Sequence, residues 1–121
     1  MKFKYYFSKD FQTSDKQEIE SLRTHYYRGK KDDIIEKIKE MATTFKFKIK
    51  SVDEERGEVI FDHMDYSGTA TITSISFNET AVDFVLMTFN VLPTAPGKKY
   101  IEKFYQHLDK TLELKGIGLY K

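Results

Sequence analysis

The sequence predicts an α+β domain: an antiparallel sheet of about five strands with two long helices packed on one face, in the order β-α-β4-α, plus an N-terminal arm. Two segments, "KKDDIIEKIKEMATTF" and the stretch from about Lys98 to Lys115, repeat apolar residues at helical spacing. Three turn signals, "DEERG", "YSG" and "NET", fall between residues 51 and 81 and cut that region into short β-favouring runs. Runs of strands with helices set apart from them are the α+β pattern.

The elements follow in order. Phe3, Tyr5 and Phe7 alternate in "MKFKYYFSKDFQT", as in a short strand or an arm. Ser14 can cap a short helix, with Gln17 three residues on and Ile19 and Leu22 on one side. "LRTHYYRG" carries β-favouring residues up to Gly29, which places a strand at roughly 22–28. In the first long helix Ile34, Ile35, Ile38 and Met41 or Ala42 form the apolar stripe, with acids in its opening turn.

"FKFKIK" alternates Phe45, Phe47 and Ile49 with Lys46, Lys48 and Lys50, the pattern of a half-buried strand. Gly57 can take positive φ in the following turn, and "EVIFDHM" returns as the second arm of that hairpin. "TATITSISF" and "AVDFVLMTF" are joined at Asn78, and the latter is apolar on both parities. "LPTAPG" breaks the chain. The last helix buries Ile101, Phe104 or Tyr105, Leu108 and Leu112, with Gly116 as its terminating residue. Residues 1–121 read as one domain, with an arm and short helix over 1–21 and the β-α-β4-α core over 22–115.

Composition narrows the function classes. There is no cysteine, which excludes thiolate chemistry and Cys-based metal sites. The most apolar window, "VDFVLMTFNVL", is too short to span a bilayer, and the start has no apolar run of signal-peptide length, so the expectation is a cytoplasmic protein without a membrane partner. Residues 1–50 carry thirteen Lys/Arg against eight acids, residues 51–96 one against eight, and residues 97–121 six against three. An acidic strand-rich middle would repel nucleic acid, so none is expected as a partner.

The order β-α-β4-α over about 22–115 resembles the TATA-binding-protein-like and Bet v 1-like folds. The stretch "HYYRGKKDDIIEKIKEMATTFKFKIKSVDEERGEVIFDH" is similar to the opening of small bacterial proteins of that pattern. The resemblance implies a fold, not an activity. Bet v 1-like proteins often hold an apolar ligand between a curved sheet and a long C-terminal helix.

Candidate chemistry is sparse. In "FDHMDYSG", Asp62-His63-x-Asp65 has metal-ligating residue types, but strand alternation sends Asp62 and His63 to opposite faces, and the segment reads as a strand running into a turn. His25 and His107 are isolated, Ser67, Ser74 and Ser76 lack a nucleophile turn, and no phosphate-binding glycine pattern occurs. No catalytic residue, metal or cofactor is therefore expected, and the protein is read as a non-enzyme.

The best functional expectation is a small apolar ligand held by Tyr100, Phe104, Tyr105, Leu108, Phe84 and Met87, between the last helix and the sheet. The alternative is a protein-interaction or self-association module, a monomer or weak homodimer, that uses a spare apolar sheet face. The two parities of "AVDFVLMTF" imply such a face, with Ile75 and Phe77 joining it, and residues 1–14 are expected to cover it with Phe3, Tyr5, Phe7 and Phe11.

Overall fold

A computed structural model describes residues 9–64, 66–88 and 96–120. Strands β1 (Lys9–Gln12) and β2 (His25–Arg28) precede helix α1 (Lys31–Thr44). Then come β3 (Lys48–Asp53), β4 (Glu58–His63), β5 (Tyr66–Ser76), β6 (Glu79–Thr88), helix α2 (Pro96–Thr111) and β7 (Glu113–Ile117). They form one antiparallel sheet of seven strands in the order β3-β4-β5-β6-β2-β7, with β1 also on β6. Strands β1 and β2 lie end to end on the same edge of β6: β1 pairs with Val85–Thr88 and β2 with Glu79–Val82.

The α+β class and the two helices on one face agree with the sequence reading. The strand count does not: β1 and β7 bring the sheet to seven. Both helices pack on the face that carries Tyr27, Val59, Phe61, Ile72, Val82, Phe84 and Leu86. Ile34, Ile35, Ile38, Met41 and Ala42 face it from α1, and Ile101, Phe104, Tyr105 and Leu108 from α2. Gly68 lies opposite Phe61, whose ring fills the space a Cβ would need.

Several boundaries move for physical reasons. No Ser14-capped helix forms; only Glu20–Leu22 make a 3₁₀ turn. The chain leaves the sheet after Thr13 and returns at Thr24, and this excursion is closed by Ser14 N–H to the Leu22 carbonyl (3.1 Å) and Thr24 N–H to the Ser14 carbonyl (3.3 Å). Strand β3 starts at Lys48, not Phe45, because Lys46 takes φ 66 and turns the chain out of α1. Helix α2 stops at Thr111, and Gly116 sits in β7 opposite Tyr26, where the Leu119 side chain leaves no room for a Cβ. The "FDHMDYSG" segment is indeed a turn: β4 ends at His63, which pairs with Tyr66, and Met64 takes φ 51. Asp65 lies outside the described residues.

The other face corrects the sequence reading most. Phe11 pairs opposite Leu86 and so lies on the helix face, against Gly97 of α2, not on the second face. Phe3, Tyr5 and Phe7 fall outside the described residues. On the second face of β6, Ala81, Asp83, Val85 and Met87 lie opposite Thr73, Thr71, Thr69 and Ser67 of β5. Those hydroxyl residues break up the apolar area that β6 alone would present, while Ile75 and Phe77 are exposed as expected.

Asp83 anchors the β1–β2 excursion. Its Oδ1 accepts hydrogen bonds from the Thr13 and Thr24 hydroxyls, both at 2.6 Å. Burial holds its carboxyl above the usual value of 3.8, against a smaller opposing pull from the two hydroxyls. The folded chain therefore keeps this proton at a pH where the unfolded chain has released it, and stability falls as pH rises from 3.8 through the raised folded value. Asn can accept both hydroxyls without the charge. Asp83→Asn is expected to raise the melting temperature at pH 7, and its advantage should vanish below about pH 4. Thermal melts at the two pH values check this.

Candidate functional site

An open cleft of about 520 Å³ lies where the 3₁₀ turn, β2, α2 and β7 meet. His25 opens β2, and its place opposite Val82 sends its ring to the helix face. His25 is 5% exposed. It stacks on Tyr105, with centroids 3.6 Å apart and planes 6° from parallel. Tyr105 and Asp109 lie one turn apart on α2, so both reach the same strand. Asp109 Oδ1 lies 3.0 Å from His25 Nδ1 and accepts the Tyr27 hydroxyl at 2.7 Å. Tyr27 shares His25's strand face, two residues on, and is fully buried.

The electrostatics follow from burial. Desolvation, then the Asp109 hydrogen bond, pushes the Tyr27 phenol far above its ordinary value. Burial likewise raises Tyr105, whose hydroxyl donates to the Val82 carbonyl at 2.8 Å. Both phenols stay neutral donors, and the Asp109 carboxylate, which has no proton of its own to give, is an acceptor only. It fixes the proton of a neutral His25 ring on Nδ1 and leaves Nε2 as an acceptor. Among the described residues the ring's hydrogen-bond contacts run through Nδ1, which leaves Nε2 for a group in the cleft that His25 lines. The rim is acidic: Glu20 and Glu102 line it with Asp109, and Ile117 adds an apolar wall. The Ser21 hydroxyl, and less strongly Lys98, hold the Glu102 carboxyl below the usual carboxylate range, against some desolvation.

The sequence-derived site residues divide among three places. Phe84, Phe104, Tyr105 and Leu108 are packed together in the core, with Phe84 5.3 Å from Phe104 and 5.0 Å from Tyr105 between ring centroids. Tyr100 is half-buried at the far end of α2, against Tyr66 and Phe47. Met87 is on the reverse face of β6, because strand alternation separates it from Phe84. Only Tyr105 reaches the cleft. His25 and Asp109 were missed. The signals were the spacing of His25 with Tyr27 on a strand and of Tyr105 with Asp109 on a helix, but nothing local says that these two faces meet.

Among the described residues, no three His or carboxylate side chains converge as a metal site, and no helix is long and apolar enough to cross a membrane. Compared with known proteins, the chain matches no family model and no curated sequence.

Proposed function

We propose that this protein is a small-molecule binding module whose ligand occupies the cleft beside α2, places a hydrogen-bond donor on His25 Nε2 and lays an apolar body against Ile117. The Tyr27–Asp109–His25 cluster, in which both donors are buried and Asp109 is partly exposed, carries this reading, since it aligns one imidazole and leaves one acceptor for an incoming group. The volume, about 520 Å³, falls within the roughly 300–1,000 Å³ of small-molecule sites. With acids at its rim, an amine or hydroxyl ligand fits better than an anion. A sheet backed by two helices is compatible with a Bet v 1-like arrangement. Here Phe84, Phe104 and Leu108 fill the space between sheet and last helix, so the proposed ligand lies to one side of it.

The test is a protein-observed NMR screen with small amines and alcohols that carry an apolar body. Hits are expected to shift His25, Tyr105 and Ile117. His25→Phe keeps a ring to stack on Tyr105 but removes the acceptor, and should weaken amine hits about tenfold or more, the loss of one hydrogen bond from a charged group, and alcohol hits by less. Hits that map elsewhere, or that bind His25→Phe equally well, defeat the proposal. A second reading, His25 as a general base acting on the bound ligand, draws on the same Asp109 contact. A hit recovered unchanged after long incubation counts against it.

A further inference from the structure

Strand β3 is one edge of the sheet, and its exposed side carries a self-complementary pattern. A bulge between Ile49 and Ser51 inserts Lys50 into the strand. Ile49 therefore lies opposite Phe61, and Val52 opposite Val59, both on the core face. Lys48 lies opposite Asp62, and Asp53 opposite Glu58, both on the other face. In a regular strand, residues an odd number apart face opposite sides. The bulge cancels that offset and places the members of each pair, 49 with 52 and 48 with 53, on a common side.

We propose that two copies of this chain associate by antiparallel pairing of β3 with β3, about a two-fold axis between residues 50 and 51. Ile49 then meets Val52 of the second copy on the core side, and Lys48 meets Asp53 on the other, each contact occurring twice as two-fold symmetry requires. A groove of about 510 Å³ flanks Ile49 beside α1, between Lys39 and Thr43, and receives Val52 of the second copy. Lys50, nearest the axis, is ion-paired within its own chain to Asp62 at 3.8 Å, which reduces repulsion between the two copies of Lys50. Lysines and bulges on an edge discourage pairing with unrelated strands. Here the acid that answers Lys48 comes from the same strand, so the edge is selective for itself. One short strand pair buries little surface, so the dimer is weak.

Sedimentation of the full chain at up to about 1 mM tests this, that concentration being where contacts of millimolar affinity are half formed. A reversible dimer that weakens with salt is expected. Lys48→Glu and Asp53→Lys should each weaken it about tenfold or more, and an equimolar mixture of the two should restore it as a heterodimer. Asp53 also accepts the Arg56 backbone N–H at 3.0 Å and lies 3.8 Å from the exposed Arg56 guanidinium, from which Lys48 of the second copy must draw it, so the fold of Asp53→Lys is checked by melting. If that variant does not fold, Lys48→Arg, which should keep the dimer, decides against Lys48→Glu, which should lose it. A wild-type chain monomeric at that concentration overturns the proposal. So does a dimer indifferent to both charge reversals, or to Lys48→Glu alone where only that variant folds, and so does a mixture that restores nothing.

Discussion

Phe104→Ala is expected to cost about 3–5 kcal/mol of folding stability, the range for deleting a fully buried aromatic side chain. Phe104 is wholly inaccessible and joins the two halves of the core. Its ring centroid lies 5.4 Å from Phe47, 5.6 Å from Phe61 and 5.3 Å from Phe84, so it touches the α1–β3 connection, β4 and β6 together. Truncation leaves a cavity bounded by strands that are hydrogen-bonded into one sheet and cannot collapse to fill it. A domain of ordinary stability, about 5–15 kcal/mol, loses a large part of its margin. Tyr100 is the comparison: it lies one turn earlier on the same helix but is half-exposed, so Tyr100→Ala should cost much less. Urea denaturation measures both, and equal losses would mean that the core is not centred where the packing places it.

Asp109→Ala is expected to cost about 2–4 kcal/mol, because it strips the acceptor from two buried donors at once. The Tyr27 hydroxyl, in a fully buried residue, donates to Asp109 at 2.7 Å, and His25 Nδ1 sits 3.0 Å from the same oxygen. Tyr27→Phe removes one donor and leaves the His25 contact intact, so it should cost only about 1 kcal/mol. In the double variant one of the stranded donors no longer exists. The double should therefore be less destabilised than the two single losses together, by about 1 kcal/mol. Additive losses would show that Tyr27 and Asp109 act independently.

Much of the fold was legible because periodicity reports burial directly. The Ile34, Ile35, Ile38 and Met41 stripe became the buried face of α1, and the Gly57 turn, at φ 72, joins β3 to β4 as the residue types implied. Strand β7 was not legible: "ELKGI" is five residues with a lysine and a glycine, and it follows a helix whose pattern runs smoothly into it. Its strand character comes from pairing with β2, and Lys115 is held by Glu79 of β6, which also accepts the Tyr120 hydroxyl at 3.0 Å. Helix spacing alone overextended α2 for the same reason. The second sheet face was misjudged because both parities of β6 were read without the Thr and Ser residues that β5 lays beside it. The candidate site was the least legible part. His25 and Asp109 stand 84 residues apart, and neither segment carries a signal that the other exists.

The claim on which the functional reading rests is that Asp109 fixes the His25 proton on Nδ1 and presents Nε2 to the cleft. Long-range ¹H–¹⁵N NMR of the imidazole rings, recorded at a pH where His25 is neutral, reads this directly. A protonated Nδ1 and a bare, acceptor-type Nε2 are expected for His25, with Asp109→Ala releasing that preference. A His25 ring protonated on Nε2, or one whose tautomer is unchanged by Asp109→Ala, would contradict it.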